Sequence, residues 1–176
     1  MGAFADLDWR RIDVTAIVNL GGLITIDERR HPPCREWLHR HGYEIDTLDC
    51  RSGLVVAIPE LGRMLGWEQQ FGYTLGPANR NLCALRDGFN FTIPEGGGRV
   101  FEILGADLAW REDAQWLSGL LVIVQEQSRR QLALGNRFFA LLVVPEQSPL
   151  IDAVIGHIRV PGRFWHPCQE IHEFIR

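Results

Sequence analysis

Histidines and cysteines are the first residues to weigh for chemistry, and the chain has six of one and four of the other. His31-x2-Cys34 and His166-x-Cys168-x3-His172 together hold enough ligands for a zinc ion. Their spacings match neither finger nor ribbon classes, and the ligands would have to converge from both ends of the chain. Structural or surface roles are therefore expected, and no metal. Ser118 lies in the apolar run "WLSGLL" and not on a G-x-S-x-G elbow. Cys83 has Arg80 and Arg86 nearby in sequence as cations for a thiolate, but no histidine is marked as its base. Glu112-Asp113 opens a helix, where orphan amides and the helix dipole favour acids, so capping is expected. The glycine run "PEGGGR" (Pro94 to Arg99) precedes a strand. A phosphate loop follows a strand and opens a helix, so this run reads as a turn. No enzyme and no cofactor is specified.

The elements that position these residues fit one domain. A chain of 176 residues can bury a substantial core, and its 46% hydrophobic and 23% charged content is ordinary for a globular protein. The net charge of −4 excludes a general nucleic-acid binder. All 18 basic residues are arginine, which a G- and C-rich genome would produce. Cationic contacts can thus be bidentate, and no lysine amine is available for catalysis. No run reaches the ~18 apolar residues of a membrane helix. The start "MGAFADLDWRR" lacks the order of a secretion signal, and its Met-Gly lacks the Ser or Thr of a myristoylation site. A cytoplasmic protein with buried, unpaired cysteines is expected.

Along the chain, "VTAIVNLGGLITI" (Val14 to Ile26) reads as one or two strands around Gly21-Gly22. Pro32-Pro33 opens a short helix carrying Trp37 and Leu38, stopped by Gly42. "YEIDTLDC" alternates as a strand. A helix is predicted from Pro59, at its first position, to Leu65. Leu82, Leu85 and Phe89 follow i, i+3, i+7 spacing on one helix face over Asn81–Phe89. A strand over Arg99–Leu104 and a long helix from Trp110, with Asp113 near its start and Gly135 beyond its end, come next. "RFFALLVVPEQ" is a strand closed by Pro145, and "AVIGHIRV" a further strand-like run. This alternation implies an α/β layer with at least some parallel pairing.

The stretch "LGRMLGWEQQFGYTLGPANRNLCALRDGF", the following "GGRVFEILGADLAW", the long helix and "GNRFFALLVV" resemble the barstar family of ribonuclease inhibitors. Phe71-Gly72 matches the family's aromatic-Gly loop. Asn81-Leu82-Cys83-Ala84-Leu85-Arg86-Asp87 matches its N-L-D-A-L-x-D helix. Trp116–Leu134 and Phe138–Val144 match its last helix and strand. The resemblance spans Leu54 to Pro145, and within a single domain over 1–176 it implies a core at 54–145. Residues 1–53 and 146–176 would be extensions that add an edge strand, cover a sheet face or widen the interface.

The resemblance implies a small, mainly parallel sheet packed by helices, and binding to a toxin, most directly a ribonuclease. Contact with nucleic acid or membrane is not implied. Asp87 corresponds to the aspartate that stands in for a substrate phosphate in the nuclease cleft. Arg86, Asn81 and Tyr73 share the implied face, with Cys83, Phe71 and Trp67 completing the implied partner-binding set. Cys83 stands where the family has an aspartate, Arg86 where it has an aromatic, and Gly76-Pro77 lengthens the loop. Residues 51–100 hold four acids (Glu60, Glu68, Asp87, Glu95) against five arginines, which leaves open a toxin with a differently charged active site. A regulatory or scaffold module with the same fold is the rival expectation.

Overall fold

The computed structural model describes residues 12–94, 97–156 and 158–160. In chain order the elements are α1 (Ile12–Leu20), β1 (Leu23–Ile26), α2 (His31–Arg40), β2 (Tyr43–Asp49), α3 (Leu54–Met64), α4 (Trp67–Phe71) and α5 (Leu82–Gly88). After them come β3 (Gly98–Leu104), α6 (Ala106–Ala133), β4 (Arg137–Val143), β5 (Val154–Ile155) and β6 (Ile158–Arg159). Four strands form one sheet in the order β1-β4-β3-β2, with every neighbouring pair parallel.

Helices cover both faces of this sheet, which is why β4 after its first residue, Arg137, is an unbroken apolar run, and the strand is buried throughout. Alternate residues of β4 serve alternate faces. Phe138, Ala140 and Leu142 join the core made with α3, α4, α5 and α6, and Phe139, Leu141 and Val143 join the core with α1 and α2. Both edge strands, β1 and β2, precede residue 54. Leu150, Ile155 and Val160 are buried in the larger core.

Four local expectations are corrected. The run Val14–Leu20, predicted as strand, belongs to helix α1. Its β-branched residues cost helix formation only fractions of a kcal/mol, and burying Val14 and Ile17, three residues apart, outweighs that. Gly21 and Gly22, with φ of 63° and 79°, then turn the chain into β1. Pro59 sits inside α3 and not at its first position. The apolar run before it supplies the first turns: Leu54, Ala57, Ile58 and Leu61 are buried, and the Leu54 N–H donates to the Glu112 carboxylate at 2.9 Å. The long helix begins at Ala106 and is interrupted at Asp113 (φ −152°, ψ 86°). There Asp113 Oδ1 accepts from the Trp116 N–H at 2.9 Å, so the aspartate caps the second half. Finally, "AVIGHIRV" is not one strand: β5 and β6 pair antiparallel across Gly156 (φ 60°).

Two glycines of the "GGG" run, Gly97 and Gly98, are required by close approach. A Cβ on Gly97 would stand 2.4 Å from the Gly42 carbonyl oxygen, and one on Gly98 2.2 Å from the Tyr43 ring. Among the described residues no helix is long and apolar enough to cross a membrane.

Candidate functional site

The surface that the resemblance singles out is built by α4, the loop 72–81 and α5, with α3 and α6 behind them. Helix α4 lies between two left-handed glycines, Gly66 and Gly72. Within it Trp67 is 1% exposed, and its ring lies 4.4 Å from Phe71 and 6.0 Å from Tyr73. Phe71 is half-buried and Tyr73 is 40% exposed. Gly88 admits this aromatic group against α5, since a Cβ there would lie 2.7 Å from Phe71 and 3.0 Å from Trp67.

The long loop is pinned at several points. Leu75 is buried against Gly62 of α3. The Asn79 side chain accepts from the Gly76 N–H at 2.6 Å and donates to the Thr74 carbonyl at 2.9 Å. Arg80 Nη2 reaches Asp113 Oδ2 at 2.6 Å, and its guanidinium lies over the Trp116 ring. The loop therefore delivers the chain to α5 from the capped kink of α6.

At the start of α5, Asn81 is the N-cap, and its side chain accepts from the Cys83 N–H at 2.8 Å. Leu82 packs against α6 where Gly119 leaves room, with 2.3 Å between a hypothetical Gly119 Cβ and Leu82 Cδ1. Leu85 and Phe89 are buried, and the Phe89 ring meets Phe101 of β3 edge-on at 5.6 Å. The predicted inner face is thus the one that packs. Cys83, Arg86 and Asp87 lie on the exposed side. Arg86 Nε pairs with Glu126 Oε2 of α6 at 2.9 Å. The Asp87 carboxylate makes no hydrogen bond or ion pair among the described residues.

The structure therefore brings all seven singled-out residues into one region but gives them different situations. Asp87, Tyr73 and Cys83 are presented to solvent. Asn81 and Arg86 are exposed with their side chains engaged. Trp67 and Phe71 form the layer behind.

A second polar cluster escaped the sequence reading. Glu102 of β3 is fully buried and accepts from His31 Nε2 at 2.6 Å, Arg35 Nη1 at 3.0 Å and Thr47 Oγ1 at 2.7 Å. Burial alone would raise its pKa. Hydrogen bonds from His31 and Thr47, with the charges of His31 and Arg35, outweigh burial and hold the carboxyl below its usual range. The cluster clamps α2 onto the sheet. Its one sequence signal is a glutamate inside the apolar strand "RVFEIL".

His31 is thus engaged by Glu102, and Cys34 is buried. His166, Cys168 and His172 lie outside the described residues. Among the described residues no group of three His, Cys, Asp or Glu is placed to hold a metal. Among the described residues Cys34, Cys50 and Cys83 form no disulfide with one another. Burial, followed by the charges of Asp49 and Glu112, pushes the Cys50 pKa up to about 12.

A scan against protein-family models finds no match, and neither do searches of curated proteins and of solved structures. The fold and site define an α/β protein with a four-stranded parallel sheet and an exposed, rigidly backed loop–helix surface.

Proposed function

We propose that the chain is a barstar-like inhibitor whose α4–loop–α5 surface enters and blocks the active site of a cognate toxin, a ribonuclease. Inhibition is stoichiometric and steric, and needs no cofactor. The order of elements supports this reading: the helices α3 to α5, β3, α6 and β4 follow one another as the resemblance over 54–145 implies.

The observation that carries the proposal is electrostatic. All five arginines between residues 51 and 100 are paired with carboxylates: Arg51 with Asp49, Arg63 with Glu60, Arg80 with Asp113, Arg86 with Glu126, and Arg99 with Glu44 and Asp46. Asp87 and Glu68 have no such partner among the described residues. The uncompensated charge of the surface is therefore negative, although arginines outnumber acids in that stretch. A carboxylate on a helix packed into the core suits a cleft whose cations are arranged for phosphate, and complementary charge speeds capture. Trp67 and Phe71 contribute by holding the helix in place.

The test is to recover the tagged full chain from its native cells, release bound protein with denaturant, and assay the refolded eluate for RNA cleavage. Cleavage that is suppressed when the purified chain is added back supports the proposal. A bound protein with no effect on RNA turns the assignment toward another toxin chemistry.

A further inference from the structure

Beside α4 runs a groove of about 520 Å³, between α3 and the loop. That volume lies within the ~300–1,000 Å³ range of ligand clefts. Its floor is apolar, with Pro59 and Gly62 of α3, Trp67, and the buried Leu75. Its rim is polar: Arg63, Glu68, Gln69 and Thr74. The rim charges are unequal in their availability. Arg63 is ion-paired with Glu60, whereas the carboxylate of the exposed Glu68 has no hydrogen bond or ion pair among the described residues. The Glu60, Arg63 and Glu68 group therefore leaves one uncompensated negative charge above an apolar channel.

We infer that this groove is a second docking point, which takes an arginine side chain of the partner protein and binds its guanidinium to Glu68. Arginine fits because its aliphatic stem covers apolar surface while its charged head stays at a polar rim. Its planar fork can also meet a carboxylate with two parallel hydrogen bonds. Gln69 and Thr74 supply further acceptors at the same rim. The groove and the helix that carries Asp87 share one buried residue. Trp67 forms part of the groove floor and also packs against Gly88, the neighbour of Asp87. This inference rests on the inhibitor reading for the identity of the partner, but the groove's preference for a guanidinium can be measured without that partner.

The probe is Nα-acetyl-arginine amide, titrated into the isotopically labelled full chain. The readouts are the Trp67 indole N–H resonance and the backbone amides of Glu68, Gln69 and Thr74. These resonances should shift to saturation, and Nα-acetyl-citrulline amide, the neutral isostere, should bind more weakly. Glu68→Gln should weaken arginine binding about two- to five-fold, the range an exposed ion pair carries, and should leave citrulline binding unchanged. Asp87→Ala should leave the groove shifts intact. Equal binding of arginine and citrulline, an unaltered affinity in Glu68→Gln, or shifts confined to α5 would overturn the inference. Because the readout involves no nuclease, its failure is distinct from a failure of the inhibitor reading, which Asp87 and RNA cleavage test.

Discussion

Replacing Glu102 by glutamine preserves the side chain's shape and removes its charge. In the native protein both carboxylate oxygens are engaged, Oε1 by His31 and Oε2 by Arg35 and Thr47. An amide offers one acceptor oxygen and a nitrogen that donates, so with the oxygen kept by Arg35 and Thr47 the His31 ring loses its anionic partner and must turn from donor to acceptor. Removing one partner of a buried pair costs ~3–5 kcal/mol. The Arg35 side chain is 38% exposed and can turn to water, which places the loss at ~3 kcal/mol, the lower end of that range. For a chain of this length such a loss lowers the unfolding midpoint by ~6–12 °C.

The pH dependence gives an independent reading of the same residue. The folded pKa of Glu102 lies below its unfolded value, so the unfolded state binds the extra proton between the two. The stabilisation is complete above the unfolded glutamate value of ~4.3 and is lost as pH falls through the folded value. Glu102→Gln should lack that part of the acid-side slope. Urea unfolding followed by tryptophan fluorescence, at neutral pH and through the acid range, measures both effects. A loss under ~1 kcal/mol, below even the ~1.5–3 kcal/mol of one hydrogen bond to a charged group, with an unchanged slope, would refute the clamp.

Two further outcomes follow from the packing. Cys83 is exposed and Cys50 is buried with its pKa pushed up to about 12. An alkylating reagent at mildly alkaline pH should therefore label Cys83 and spare Cys50 in the native protein, as mass spectrometry would read; early labelling of Cys50 would contradict its burial. Gly88→Ala should push Phe71 and Trp67 away from α5. Overpacking costs ~1–3 kcal/mol, and the helix gain from alanine is only ~0.5–1 kcal/mol, so thermal melting should show net destabilisation. A more stable variant would mean that the aromatic layer yields freely.

The parts of the fold that were legible from sequence are those where burial writes itself into residue type. β4 reads as continuous apolar sequence because helices cover both its faces, and α5 announces itself through Asn81, Leu82, Leu85 and Phe89. α1 was misread because valine and isoleucine at helical spacing also resemble a buried strand. Asp113 was legible as a cap, but the helix on its other side hid the kink. The Glu102 clamp joins His31 to a residue 71 positions away, and only the parallel register of β2 and β3 brings Thr47 beside it. The pairings of Arg80 and Arg86 were equally invisible, since both find their carboxylates on α6. Composition alone therefore understated the negative character of the exposed surface.

The central claim is that Asp87 is the anion offered to a cationic nuclease cleft. The most direct measurement is the inhibition of the co-purified nuclease by the native chain and by Asp87→Ala, titrated on RNA cleavage. Truncating one partner of a buried, hydrogen-bonded charge pair costs ~2–5 kcal/mol. The account therefore predicts one-to-one inhibition by the native chain and a loss of affinity of ~30-fold to several thousand-fold in the variant. Equal inhibition by both proteins, or none by the native chain, would contradict it.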